Sequence, residues 1–176
     1  MKIAIETTLN HLAVAIETKD GKTDQIKTEE PQAENLLPNI ETLLSRNHEK
    51  IENLTEIRVT IGPGSFTGIR IGLAGAKALS LGTGIKLLAF ETFDLLKASH
   101  PNETGILAID TKRGDFYTKD ENGKTAILTE ENLKGENILL PNDKTDALTL
   151  LSLDESFRKE ALPYYMRPPE ISCKKR

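Results

Sequence analysis

The stretch Ile57-Arg-Val-Thr-Ile-Gly-Pro-Gly-Ser-Phe-Thr-Gly-Ile-Arg-Ile-Gly-Leu-Ala-Gly-Ala-Lys-Ala-Leu79 passes from a β-branched apolar segment through a glycine-rich loop into a run of small and apolar residues. Its local pattern is a strand over 57–61, a loop, and a helix over about 67–82. A helix N-terminus preceded by glycines can offer free N–H groups to an anion. A Walker loop, however, needs Lys and then Ser or Thr directly after its last glycine, and here Gly68 is followed by Ile69 and Arg70. A dinucleotide loop needs glycine at 62, 64 and 67; position 67 is Thr, and Pro63 removes a donor. Glu91 does stand at a suitable distance for a ribose contact, which leaves that reading open. The nucleophile elbow Gly-x-Ser-x-Gly is absent, because Ser65 lies between Pro63 and Thr67. The competing reading is structural: Gly62 and Gly64 permit tight turns, and Ser65 and Thr67 cap the helix that follows.

Between Thr67 and Gly82 the charged residues are Arg70 and Lys77, whereas Gly68, Gly72, Gly75 and Ala76 allow another backbone to approach closely. A helix apolar around most of its circumference must be covered on most sides. From these residues alone, the cover is either a partner protein or the rest of the chain.

Before this stretch, residues 2–8, 12–18 and 22–28 read as alternating apolar and polar positions separated by Leu9-Asn10-His11 and by Asp20-Gly21, the pattern of an antiparallel meander. Leu36, Leu37, Ile40, Leu43 and Leu44 then form one stripe of a helix over about 33–47, which Pro38 kinks unless it lies in the first turn. After it come a strand over 85–89 and a helix over about 91–99. Pro101-Asn102 marks a boundary, beyond which Gly105–Asp110 and Asp115–Lys119 restart the strand-rich pattern. The expectation is an α/β fold of two related lobes with mixed sheets, 1–101 and a shortened 102–176. From Thr125 onward the pattern thins, with helices expected near 130–134 and 146–152 and an extended, proline-rich segment over Leu162–Glu170.

A formal charge of −4 on 176 residues argues against a large phosphate-gripping surface. The single cysteine, Cys173, excludes an intrachain disulfide, and no apolar run approaches the ~18 residues needed to span a bilayer. A soluble, cytoplasmic protein is expected. His11, His48 and His100 share no metal-ligand spacing and are expected at surfaces or turns. Glu6 reads either as a solvated strand end or as a carboxylate for a metal–nucleotide. Asp110, Arg113 and Asp115 could form a site or simply a hairpin turn.

The loop and helix Gly62–Leu79 closely resemble the signature of the TsaB (YeaZ-like) family of tRNA threonylcarbamoyladenosine biosynthesis. Ile3-Ala-Ile-Glu-Thr-Thr8, Glu34-Asn-Leu-Leu-Pro38, Ile109-Asp-Thr-Lys-Arg113 with Tyr117, and Pro163-Tyr-Tyr-Met-Arg167 add to the likeness. It implies an actin-like, RNase H-like fold of two lobes. It also implies a non-catalytic subunit supporting a TsaD-like catalytic subunit, which transfers threonylcarbamoyl to the adenosine beside the tRNA anticodon. A TsaE-like ATPase is a further implied partner. Contact with tRNA comes only through the complex, and ATP and magnesium belong to the complex, with no cofactor tightly bound by this chain. The family usually has Asp at the position of Glu6 and His-Ser-Glu at that of Gln32-Ala33-Glu34, and this second lobe is shorter than usual. On these grounds Leu36, Leu37, Ile40, Gly68, Gly72, Gly75, Ala76 and Leu79 are expected at the partner interface, which in isolation closes on itself as a homodimer. Gly62, Gly64, Ser65, Thr67 and Arg70 form the family's motif loop.

Overall fold

The computed structural model describes residues 1–168. Strands β1 (Lys2–Glu6), β2 (Leu12–Glu17) and β3 (Thr23–Thr28) form the expected meander, followed by helix α1 (Gln32–Arg46). Next come β4 (Glu56–Thr60), α2 (Phe66–Thr83), β5 (Lys86–Phe90) and α3 (Thr92–Ala98). β1 pairs antiparallel with β2 and parallel with β4, so the first sheet runs β3-β2-β1-β4-β5. A second sheet of order β8-β7-β6-β9 is built from β6 (Ile106–Asp110), β7 (Asp115–Lys119), β8 (Thr125–Thr129) and the two-residue β9 (Ile138–Leu139). Helix α4 (Ala147–Ser152) follows. Cys173 and the end of the proline-rich segment lie outside the described residues.

The alternation in β1 and β2 is of size rather than polarity. Ile3, Ile5, Leu12, Val14 and Ile16 face α1 and α2, while Ala4, Ala13 and Ala15 face α4, and both sets are buried. Alternate residues of a strand point to opposite faces, so the alanines make one face shallow enough for a short helix to lie close. α4 therefore packs on the first sheet although it follows the second in sequence. Arg58 of β4 holds it there: its guanidinium pairs with Glu56 at 2.6 Å and donates to the Leu150 and Leu153 carbonyls at the helix C-terminus, at 3.3 and 2.5 Å. At the other end Asp146 caps the Thr149 N–H, and the Gln25 amide donates to the Asp146 carboxylate at 3.0 Å.

A third apolar layer joins the two sheets through Leu9, Phe93, Leu96, Leu107, Ile109 and Leu139. Across the same junction Lys119 of β7 pairs with Glu91 at 3.0 Å. Pro38 lies in the second turn of α1 rather than the first, and the helix continues through it to Arg46.

Candidate functional site

The glycine loop is held by its own chain. The Ser65 N–H donates to the Thr8 carbonyl at 2.7 Å, and the Thr92 N–H donates to the Gly62 carbonyl at 2.8 Å. Gly64 has a φ of +156°, and a Cβ there would strike the Thr8 carbonyl. The Ser65 hydroxyl caps α2 by accepting the Gly68 N–H at 3.1 Å, as the structural reading required, while Thr67 is exposed. From the other side the closing segment crosses the loop: the Tyr164 N–H donates to the Ile61 carbonyl at 2.8 Å. The Tyr165 ring lies 4.8 Å from that of Phe66. Arg70 stacks over Phe66 at 4.0 Å and donates to the Tyr165 hydroxyl at 3.3 Å. This fixes the direction in which α2 leaves the loop.

The small-residue stripe of α2 is used inside the molecule. A Cβ on Gly68 would land on the Thr7 carbonyl, and one on Gly72 on the Thr7 hydroxyl, which itself donates to the Gly68 carbonyl at 2.7 Å. Ala76, Leu36 and Ile40 are buried in the core of the first sheet. These five positions were expected to meet a partner; packed against their own chain, they are not available to one. Gly75 faces the Leu36 side chain, which sets α1 and α2 side by side, and Leu79 is partly buried against the same core. The outward face of the pair carries other residues. Ala74 and Ala78 are exposed, Leu81 is 86% exposed, and on α1 Leu37 is 54% exposed. Arg70 and Thr67, which share a side of α2 with Ala74, Ala78 and Leu81 by helical spacing, are exposed as well.

A cleft of about 1110 Å³ opens between the two sheets, lined among others by Thr8, Asn10, Lys27, Ser65, Lys112 and Tyr165. An actin-like fold directs attention to a magnesium nucleotide there, and the residues do not fit one. Glu6 is fully buried, not solvated. One carboxylate oxygen accepts the Thr8 N–H at 2.6 Å, the Thr8 hydroxyl at 2.7 Å and the Leu9 N–H at 2.9 Å, and the other accepts the Thr60 hydroxyl. Burial pushes its pKa up in spite of these donors. The Thr8 and Leu9 amides, which could cradle a phosphate, are thus turned inward onto the Glu6 carboxylate. Asp110 lies beneath the Lys112 ammonium at 2.8 Å, and Asp115 is held by Thr111 and Arg167, so these carboxylates belong to a hairpin turn and the closing segment. Among the described residues no group of three or more His, Cys, Asp or Glu side chains could hold a metal ion.

Of the histidines, His48 is exposed at a left-handed turn. His100 is buried, against expectation, between Ser99 at 3.1 Å and Asn142 at 3.1 Å. His11 is half-buried at the cleft wall, and burial, aided by Lys27, pushes its pKa down to about 4. Gln32 donates to the Thr7 and His11 carbonyls at 3.1 and 2.8 Å, tying the β1–β2 turn to α1. The sequence marked Gln32 only as a departure from the family pattern, and gave no sign that Arg58 would latch α4.

Residues 27–164 match the family model described as TsaD: tRNA N6-adenosine threonylcarbamoyltransferase. The tRNA threonylcarbamoyladenosine biosynthesis protein TsaB of Bacillus subtilis is 26% identical over 170 residues, which cover 91% of this chain and 74% of that one. TsaB of Escherichia coli is 29% identical over 96 residues, covering 50% and 42%. Among solved structures, YeaZ from Pseudomonas aeruginosa superposes with a TM-score of 0.74 at 20% identity, covering 94% of this chain and 99% of that one. The chain belongs to the TsaD-type tRNA N6-adenosine threonylcarbamoyltransferase family and lies within it among the TsaB (YeaZ-like) proteins.

Proposed function

We propose that this chain is a non-catalytic subunit in tRNA threonylcarbamoyladenosine synthesis, and that it presents the outer face of α1 and α2 to a TsaD-like catalytic subunit. The observation that carries the reading is that face itself. Leu81, Ala74, Ala78 and Leu37 leave apolar surface open on two helices, of which α2 is aimed by the glycine loop and α1 is tied to the β1–β2 turn by Gln32. Two helices against two related helices make a contact with an apolar centre, suited to a stable complex. The partner's reaction, transfer of threonylcarbamoyl to the adenosine beside the anticodon, supplies the chemistry. This chain contributes shape, with a TsaE-like ATPase and ATP–magnesium acting elsewhere in the assembly and tRNA reached only through it. A net charge of −4 fits a subunit that does not grip tRNA alone. A cytoplasmic location follows from the same reading, and no helix among the described residues is long and apolar enough to cross a membrane.

The test is reconstitution of threonylcarbamoyladenosine synthesis from purified TsaD-like and TsaE-like proteins, substrate and tRNA, with and without this chain. Activity that requires the chain is expected. Full activity in its absence overturns the reading.

A further inference from the structure

Resting on the contact assigned above to the outer face of α1 and α2, we propose that Arg70 is a pre-set clamp on that face for one carboxylate, the side chain of an Asp or Glu of the TsaD-like partner.

Arg70 is exposed in the second turn of α2, yet its guanidinium is held in place. It lies over the Phe66 ring at 4.0 Å, and its Nε–H donates to the Tyr165 hydroxyl at 3.3 Å. Both aromatic supports are themselves fixed. Phe66 opens α2 directly after the Ser65 cap. Tyr165 is flanked by Tyr164, whose N–H donates to the Ile61 carbonyl at 2.8 Å, and by Met166, which packs into the apolar layer joining the two sheets. The Tyr165 ring lies 4.8 Å from that of Phe66 and completes the stack. A long cationic side chain loses rotamer freedom when it binds, and one already ordered by its neighbours loses less.

This ordering serves no ion pair within the chain. With Nε spent on Tyr165, the Nη1 and Nη2 groups have no acceptor among the described residues, and no carboxylate there stands within ion-pair distance. α2 also has no acidic residue in its first turn, so the positive end of the helix dipole adds to Arg70 and is not offset. A cation so placed is of little use to its own helix and favours an anion arriving from outside.

The surroundings select a carboxylate carried by a protein. Two Nη groups side by side match the two oxygens of a carboxylate in one plane. Ala74 lies one turn further on, and Ala78 and Leu81 continue the same exposed side, so the charge stands at the edge of apolar surface. A helix lying along that side would shut out water and strengthen the pair. Nucleic acid, in contrast, is gripped by several cations together, whereas the next cation along α2 is Lys77 and the chain carries a net charge of −4.

Calorimetric titration of the full chain with the TsaD-like protein, at about 50 and 500 mM NaCl, tests this. The affinity of the parent should fall as salt rises. Arg70→Gln should weaken binding by about tenfold at the lower salt and flatten the salt dependence. Arg70→Lys keeps the charge without the paired donors and should recover only part of the loss. Tyr165→Phe keeps the ring but removes the acceptor that orients the guanidinium, and should weaken binding by about threefold. Arg70→Glu should bind most weakly, and changing one carboxylate of the partner to Lys should restore it, a rescue that a loosened closing segment could not produce. Parent-like affinity and salt dependence in Arg70→Gln overturn the clamp, and leave the contact standing where Ala74→Glu and Leu81→Glu still weaken it. Failure of every such partner variant to rescue Arg70→Glu also overturns it. So does unchanged affinity for the protein with weakened retention of tRNA by the complex, which would give the guanidinium to a phosphate. No binding by the parent at either salt overturns both the clamp and the contact on which it rests.

Discussion

The two sheets face opposite demands with similar strands. In the first, β1 and β2 are buried on both faces, with two long helices over the large side chains and the six-residue α4 over Ala4, Ala13 and Ala15. In the second, one face enters the layer shared with the first sheet, while Phe116, Ala126 and Leu128 on the other remain only half-buried. Sheets buried on both faces tolerate polar groups only when those groups are fully partnered. The first sheet meets that condition with Glu6, which receives four donors, and with Arg58, whose partners are a carboxylate and two helix-end carbonyls. The second sheet has fewer such obligations and less cover, so substitutions should cost more in the first.

Arg58→Leu should break this contrast most severely. It strands the Glu56 carboxylate, whose remaining cation is Lys86 at 3.8 Å, and uncaps the end of α4, so a loss of about 3–5 kcal/mol in urea unfolding is expected. Gly72→Leu should follow, at about 2–3 kcal/mol, because its Cβ falls on the Thr7 hydroxyl and the displaced side chain gives up its bond to Gly68. On a solvent-facing helix the same change would raise stability, since glycine is roughly 0.8–1 kcal/mol worse than alanine in a helix interior, so the sign alone decides. Leu128→Ala on the open face of the second sheet should cost less, about 1 kcal/mol, and a loss as large as that of Arg58→Leu would end the contrast.

His11 gives the smallest effect, visible only against pH. Its folded pKa is depressed to about 4, below the ordinary value of 6.5, so the unfolded chain binds the proton more readily. Stability from this group is complete above 6.5 and falls as pH drops toward 4. His11→Gln should narrow the difference in urea midpoint between pH 7 and pH 5. An unchanged difference would mean that the ring is solvated in the folded protein.

The two-lobe α/β order, the paired helices and the capped glycine loop were legible because each rests on local pattern: apolar spacing, an Asp-Gly turn, Ser65 three residues before Gly68. What stayed hidden depends on partners distant in sequence. A charged residue such as Arg58 in a strand reads as a solvent-facing position until α4, ninety residues later, is folded onto it. Glu6 reads as a strand end because nothing local announces that Thr60 will close over it. The alternation in β1 and β2 looked like apolar against polar, whereas Ile against Ala is large against small, and only α4 gives the small face a meaning. β8 and β9 were missed for the opposite reason: Thr125-Ala-Ile-Leu-Thr129 sets three apolar residues in a row with no alternation, and the two residues of β9 are too few to carry a period. At the helices, the sequence placed α1 and α2 together and named residues that pack inside the chain, because glycines suited to close approach serve either an internal neighbour or an external one, and Thr7 is the neighbour of Gly68 and Gly72.

The central claim is that the outer face of α1 and α2, not their inner stripe, recognises the catalytic subunit. Ala74→Glu and Leu81→Glu place charge on exposed positions where no packing within the chain is disturbed. Their melting temperatures and their affinities for a TsaD-like protein, measured together by calorimetry, form the most direct test. Melting within a degree or two of the parent, with affinity reduced by at least tenfold, is the expected result. Affinity equal to that of the parent in both variants would contradict it.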